Sequence, residues 1–229
     1  DLDRYISERE IFETKNLARI VSYINTVAKE KELSIDMILL LHKMLLSNIR
    51  DDVAGRFREN DEWVRVANHI APEPKFVVKM VEDMLIKYNS ASNENIISRI
   101  ALLHLTFENI HPFVDGNGRI GRVINNYMLK REGFVPINIK FIDRRLYYEA
   151  FKEFDSKWET TIMQEIVGKA LTNSYHRRLA YLEEMKIITL SEYAKQSGIS
   201  HSNLINKAKR QTIEAFFDKG NWKIGIPFS

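Results

Sequence analysis

Cysteine is absent from the whole 229-residue chain. That excludes disulfides and thiolate metal sites, and nothing in the chain calls for an oxidising compartment. A reducing cytoplasm is the expected location. No stretch approaches the roughly 20 apolar residues that a membrane-spanning helix needs, so no membrane partner is expected. The first residues lack the basic-then-apolar pattern of a secretory signal, in a chain that begins with Asp1 rather than Met. Internal repeats and low-complexity tracts are missing too.

What is present is apolar patterning of helical period, with 45% apolar residues, enough for a buried core. Leu17, Ile20, Val21, Ile24 and Val27 form one stripe. Ile35, Ile38, Leu39, His42, Leu45 and Leu46 form a second, with Ser34 as its cap. A third runs through Val77, Met80, Val81, Met84, Leu85 and Tyr88, entered through the prolines of "APEP". Residues 96–107 are apolar on most sides, which predicts the central buried helix. Further helices are expected at 119–131, 143–155 and across 158–185. Between the second and third helices, "WVRVANHIAPEP" has no helical period and reads as an extended hairpin or flap near 61–71. It is either a strand that captures a peptide through its main chain or a connecting loop pinned by Trp63.

The charge is unevenly placed. From Lys186 onward seven Lys/Arg face three acids, an excess of +4 that is larger than the +3 of the entire chain. This basic tail has a short helix, a turn at Gly198, Ser200 as the next N-cap, and a second helix carrying His201, Asn203, Asn206, Lys207, Lys209 and Arg210. Two short strands around Asp218 to Asn221 follow. The arrangement resembles a winged helix-turn-helix, whose second helix reaches phosphates and base edges. A peptide-binding or dimerising appendage with a solvated basic face is the other reading. The division expected is therefore a helical domain at 1–185 and a module at 186–229.

The chemistry is concentrated in "HPFVDGNGRIGR", residues 111–122. A helix end delivers His111 to a loop. Gly116, Asn117 and Gly118 let successive N–H groups turn inward as an anion nest, and the helix that starts there adds its positive dipole end. Arg119 and Arg122, three apart, reach an anion held at that start. Asp115 is a hard carboxylate suited to Mg²⁺ against phosphate oxygens, and His111 can accept a hydroxyl proton. Base, metal ligand, anion cradle and charge clamp are the parts of phosphoryl or nucleotidyl transfer. The order of residues fits neither a Walker loop nor a dinucleotide fingerprint.

The same twelve residues resemble the H-P-F-x-[D/E]-G-N-G-R-x-x-R signature of the Fic family at every fixed position, and the resemblance extends over roughly residues 33–155. It implies a mainly α, Fic-type helical bundle with a small β-hairpin flap, to which the winged-helix-like module is appended. It also implies a protein adenylyltransferase that moves AMP from ATP, with Mg²⁺, to a Ser, Thr or Tyr hydroxyl of a target protein. By matching position, His111 is the general base and Asp115 the metal ligand. Gly116, Asn117 and Gly118 are the anion hole, and Arg119 and Arg122 hold phosphates. Tyr147 matches an aromatic of the adenine pocket, while a nearby position often occupied by Asn is Asp155. Val64, Arg65 and Val66 match the target-docking flap. Many relatives carry an inhibitory glutamate against the second motif arginine. Glu8, Glu10 and Glu13 lie in roughly the right region without the full pattern, so the element is either a diverged in-chain glutamate opposing Arg122, one upstream of Asp1, or one supplied by a partner. Transfer or removal of another phosphate-containing group is an alternative within the family. A nucleotide-sensing DNA-binding regulator is the alternative outside it, and a homo-oligomer is compatible with all of these.

Overall fold

The computed structural model describes residues 7–66, 69–139 and 144–228. Residues 67 and 68 of the expected flap lie outside the described residues. Contacts divide the chain into two compact units, residues 1–134 with 144–164, and residues 135–143 with 165–229. The chain is mainly helical, as expected, with nine α-helices and two small sheets among the described residues.

In the first unit, α1 (Glu8–Val27) opens with a capping box in which Ser7 and Glu10 satisfy each other's backbone N–H. α2 (Ile35–Leu46) starts at the expected cap, where Ser34 Oγ accepts from Met37 N–H. Two-residue strands β1 (Arg65–Val66) and β2 (His69–Ile70) pair antiparallel, Arg65 opposite Ile70. A 3-10 turn at Pro74–Phe76 leads into α3 (Val77–Ser90), followed by α4 (Ile96–Ile110), α5 (Asn117–Arg131) and α6 (Arg144–Lys157). α4 is the centre. Ile100, Ala101, Leu105 and Phe107 on it are fully buried, and it packs against α3, α5 and α6.

One stripe differs from its expectation. α1 buries Asn16, Ile20 and Ile24, one every four residues, and leaves Val21 exposed. The reason is polar: Asn16 Nδ2 donates to the carbonyls of Leu45 and Ser47 at 2.9 and 2.8 Å, so a buried amide aligns α1 against the end of α2.

After α7 (Thr161–Leu182) come β3 (Lys186–Thr189), α8 (Leu190–Ser197), α9 (His201–Lys209), β4 (Ala215–Asp218) and β5 (Asn221–Ile226). Gly198 ends α8 at φ +71°, a left-handed cap that glycine adopts without a Cβ clash. The hairpin turns through Lys219 and Gly220, both at positive φ, as a primed turn requires. Sequence reading expected β4 and β5 but not β3, which pairs antiparallel along β5 and completes a sheet of order β3-β5-β4. Leu190, Leu204, Ala208 and Ala215 form a small core, so α9 turns one face inward and exposes Asn203, Asn206, Lys209 and Arg210.

Candidate active site

The site is built where α4 stops and α5 starts. His111 caps α4 in the left-handed region at φ +48°, an uncommon conformation for a side chain of this size. The turn is held from outside. Arg58 is buried, its Nε donates to His111 O at 2.9 Å, and its Nη2 donates to the carbonyls of Pro72 and Ile110. Its own N–H donates to Pro112 O at 2.9 Å, so one side chain ties the segment before the flap, the segment after it and the end of α4 together.

The loop from 112 to 116 is closed by Asn117, whose Oδ1 accepts from Phe113 N–H at 2.9 Å and whose Nδ2 donates to Phe113 O at 2.7 Å. Gly116, at φ +86°, is the N-cap of α5. Below it lies His42. Its Nδ1 accepts from Gly55 N–H at 3.0 Å, which leaves Nε2–H to donate to Asp115 O at 3.0 Å, and its ring stacks on Phe113 at 3.7 Å. A residue that reads as part of an apolar stripe is thus the floor of the loop. Burial lowers His42 to about 4, so the ring is neutral.

An open cleft above this loop is lined by His111, Val114, Asp115, Gly116, Asn117, Gly118, Arg119 and Arg122, the expected residues of the motif brought together. At the start of α5 the first N–H groups have no intrahelical acceptor, and the dipole end is positive. His111 Nδ1 lies 3.2 Å from Glu108 O, a contact that needs a proton on Nδ1 and leaves Nε2 as the basic nitrogen. Burial lowers the His111 pKa; the Glu108 carbonyl opposes that, while His69 and Arg58 reinforce it. For Asp115, burial disfavours the charge, but Arg119, Arg9 and the Gly116 N–H outweigh it and hold the carboxyl below its ordinary range.

Charges from α1 meet two of the residues that line the cleft. Arg9 Nη2 donates to Asp115 Oδ2 at 3.1 Å and Arg9 Nε to Glu13 Oε1 at 2.9 Å. Arg119 Nη2 donates to Asp115 Oδ1 at 3.1 Å, and Arg119 Nη1 lies 2.7 Å from Glu13 Oε1. Glu13, one of the three glutamates in the expected region, thus meets Arg119, the first of the two motif arginines. Glu108, its side chain 11% exposed, sits beside His111, and Arg122 acts on its charge.

Tyr147 is half-buried and held by a buried histidine: its Oη accepts from His104 Nε2–H at 2.8 Å, while His104 Nδ1 accepts from Asn125 at 3.0 Å. Asp155 instead lines a second pocket, with His69, Ile70, Asn109, Phe154 and Trp158. Its Oδ1 accepts from Asn109 Nδ2 at 2.5 Å and its Oδ2 lies 3.3 Å from His69 Nδ1. On the flap Val64 is half-buried and its carbonyl accepts from Ala71 N–H at 3.1 Å, while Arg65 and Val66 are exposed on β1.

Arg9, His42, Arg58 and Glu108 are the site residues that sequence reasoning missed. Only Glu108 carried a local signal, a carboxylate one helical turn before His111.

Residues 32–129 match the model of the Fic/DOC family. A protein adenylyltransferase Fic of Nematostella vectensis is 35% identical over 141 residues, 60% of this chain and 33% of that protein. One of Drosophila sechellia is 28% identical over 210 residues, 89% of this chain and 42% of that protein. The chain therefore spans about a third to two fifths of the length of these curated relatives. Among solved structures, Fic-1 from C. elegans is similar with a TM-score of 0.69 at 26% identity, over 80% of this chain and 55% of that one.

Proposed function

We propose, from the premise that this chain carries a Fic/DOC family domain at residues 32–129, that it transfers AMP from ATP to a hydroxyl side chain of a target protein. The observation that carries the reading is the single cleft holding His111, the α5 N-terminus, Asp115, Arg119 and Arg122. The relatives named protein adenylyltransferase support the choice of AMP.

In this reading the polyphosphate sits on the opening N–H groups of α5, with Arg119 and Arg122 offsetting its charge. His111 Nε2 takes the target hydroxyl's proton, the hydroxyl oxygen bonds to the α-phosphorus, and pyrophosphate leaves. The outward edge of the two-stranded β1–β2 sheet supports docking of an extended target segment through Val64, Arg65 and Val66.

Magnesium fits as a partner of one carboxylate. No group of three or more His, Cys, Asp or Glu suited to a metal occurs among the described residues. Asp115 with phosphate oxygens and water is a donor set that Mg²⁺ accepts. Asp115 would hold the ion, which would offset charge on the phosphates, and Arg9 would first leave Asp115 Oδ2. No helix of the described residues is long and apolar enough to cross a membrane, and we keep a cytoplasmic location as part of the proposal.

A second reading concerns residues 186–229. The polar face of α9, with Asn203, Asn206, Lys209 and Arg210 exposed beside a two-stranded wing, supports a winged helix that binds DNA. Salt-dependent DNA binding that survives His111→Ala and disappears without 186–229 tests it. The transfer reading is tested by Mg²⁺ and ATP labelled on the α-phosphate: label must appear on protein and depend on His111.

A further inference from the structure

Glu108 is a largely buried carboxyl that the chemistry above does not use. It sits in the last turn of α4, one turn before His111, and its Oε2 lies 3.8 Å from His111 Nδ1. Its Oε1 is buried, with no hydrogen-bond partner among the described residues. An unpartnered buried acceptor costs stability, which a fold does not retain without some return. The space around it is also reserved. A Cβ added at Gly121 would stand 2.6 Å from Oε1, and one at Gly118 would stand 3.8 Å away. The absence of a side chain at Gly121 therefore makes room for this carboxyl beneath the first turn of α5.

The groups that face it come from three helices. Arg122 on α5 favours its charged form, and His104 on α4 is neutral, lowered by burial to about 3. Tyr147 on α6 feels the carboxyl's charge, and His111 faces it from the end of α4. Arg58 and His69 also act on His111. Glu108 does not line the cleft, so it touches no substrate there.

We infer that Glu108 is a positioning residue for the base: its carboxylate, on the Nδ1 side of His111, balances the imidazolium that forms when Nε2 accepts the target hydroxyl's proton. The inference rests on the transfer reading for its role in turnover, but its electrostatic part stands by itself. The proton passes from hydroxyl oxygen to Nε2 as the oxygen–phosphorus bond forms and pyrophosphate departs, and the imidazolium later returns the proton to water. The carboxylate exchanges no proton with substrate. Burial pushes Glu108 up to about 7, while Arg122 favours its charged form.

The test uses the full chain with histidine labelled for NMR. The chain has six histidines, and His111 is the resonance lost in His111→Ala. In Glu108→Gln, which keeps the shape, the His111 midpoint is expected to fall by about one pH unit, with Glu108→Asp recovering part of the shift. With Mg²⁺ and ATP, kcat should fall about ten-fold while KM for ATP holds, and the acid limb of kcat/KM should move down in pH with the His111 midpoint. An unchanged His111 midpoint in Glu108→Gln overturns the inference. So does a rise in KM that tracks a lowered Tm, because that marks a packing role alone. If the chain transfers no nucleotide under any condition the function fails, yet the titration still decides the role of Glu108.

Discussion

Glu13 on α1 places Oε1 2.7 Å from Arg119 Nη1, across a gap of more than a hundred residues in sequence. Arg119 Nη1 makes no aligned hydrogen bond, so the contact is an ion pair by proximity. Through Arg9 the same glutamate is joined to Asp115, and Arg9, Glu13, Asp115 and Arg119 form a four-charge ring, two of whose members line the cleft.

In the proposed reading this ring competes with nucleotide. Asp115 is held by two guanidinium groups, and Arg119 is shared between two carboxylates. The pairs made by Arg9 are exposed and contribute about 1 kcal/mol or less each, so a ligand can displace them; those made by Arg119 are partly buried. Glu13→Ala is expected to raise transfer several-fold and tighten ATP binding, and Arg9→Ala to tighten the Mg²⁺ dependence. Calorimetric titration of ATP with and without Mg²⁺ checks both, and affinities equal to wild type would remove α1 from control of the site.

His111→Ala is expected to abolish transfer, by at least about 100-fold, with ATP affinity nearly intact, because the base acts on the incoming hydroxyl. Binding measured in parallel with rate decides it: a loss of affinity as large as the loss of rate would assign His111 to nucleotide binding.

His42→Ala removes the floor of the loop. It takes away the stack on Phe113 and leaves Gly55 N–H and Asp115 O without their partner. A loss of about 2–4 kcal/mol is expected in denaturant titration, with weakened Mg²⁺ dependence as Asp115 loses its anchor. Stability within a few tenths of wild type would contradict this placement.

The buried histidines also set an acid limit. Burial lowers His42 to about 4 and His104 to about 3, the latter with help from Arg122, from an ordinary value of 6.5. The unfolded chain therefore binds more protons than the native one below 6.5. Stability is lost as pH falls, by about 2 kcal/mol for each histidine between pH 6.5 and 5. Denaturant midpoints at pH 7 and pH 5 check the sign, and His104→Gln should flatten the slope.

Much of this was legible in the sequence because the signals are local. Ser34 announces α2, Gly198 the turn between α8 and α9, and residues 111–122 carry their nest and arginines within one segment. What could not be read is whatever depends on a distant partner. Arg58 looks like any loop arginine until three carbonyls close around it. His42 fits an apolar stripe, and its tautomer is decided by Gly55 and Asp115. Val21 has the right spacing to be buried, but Asn16 fixes the helix rotation through the end of α2. β3 is four residues long, and only its pairing with β5 makes it a strand.

The most direct measurement is intact mass after incubating the full chain, wild type and Glu13→Ala, with Mg²⁺, ATP and a lysate, with His111→Ala as the control. The account predicts an AMP adduct on the chain or on a lysate protein, stronger with Glu13→Ala and absent with His111→Ala. An adduct that persists at full strength in His111→Ala, or none in any variant although ATP binds, would contradict it.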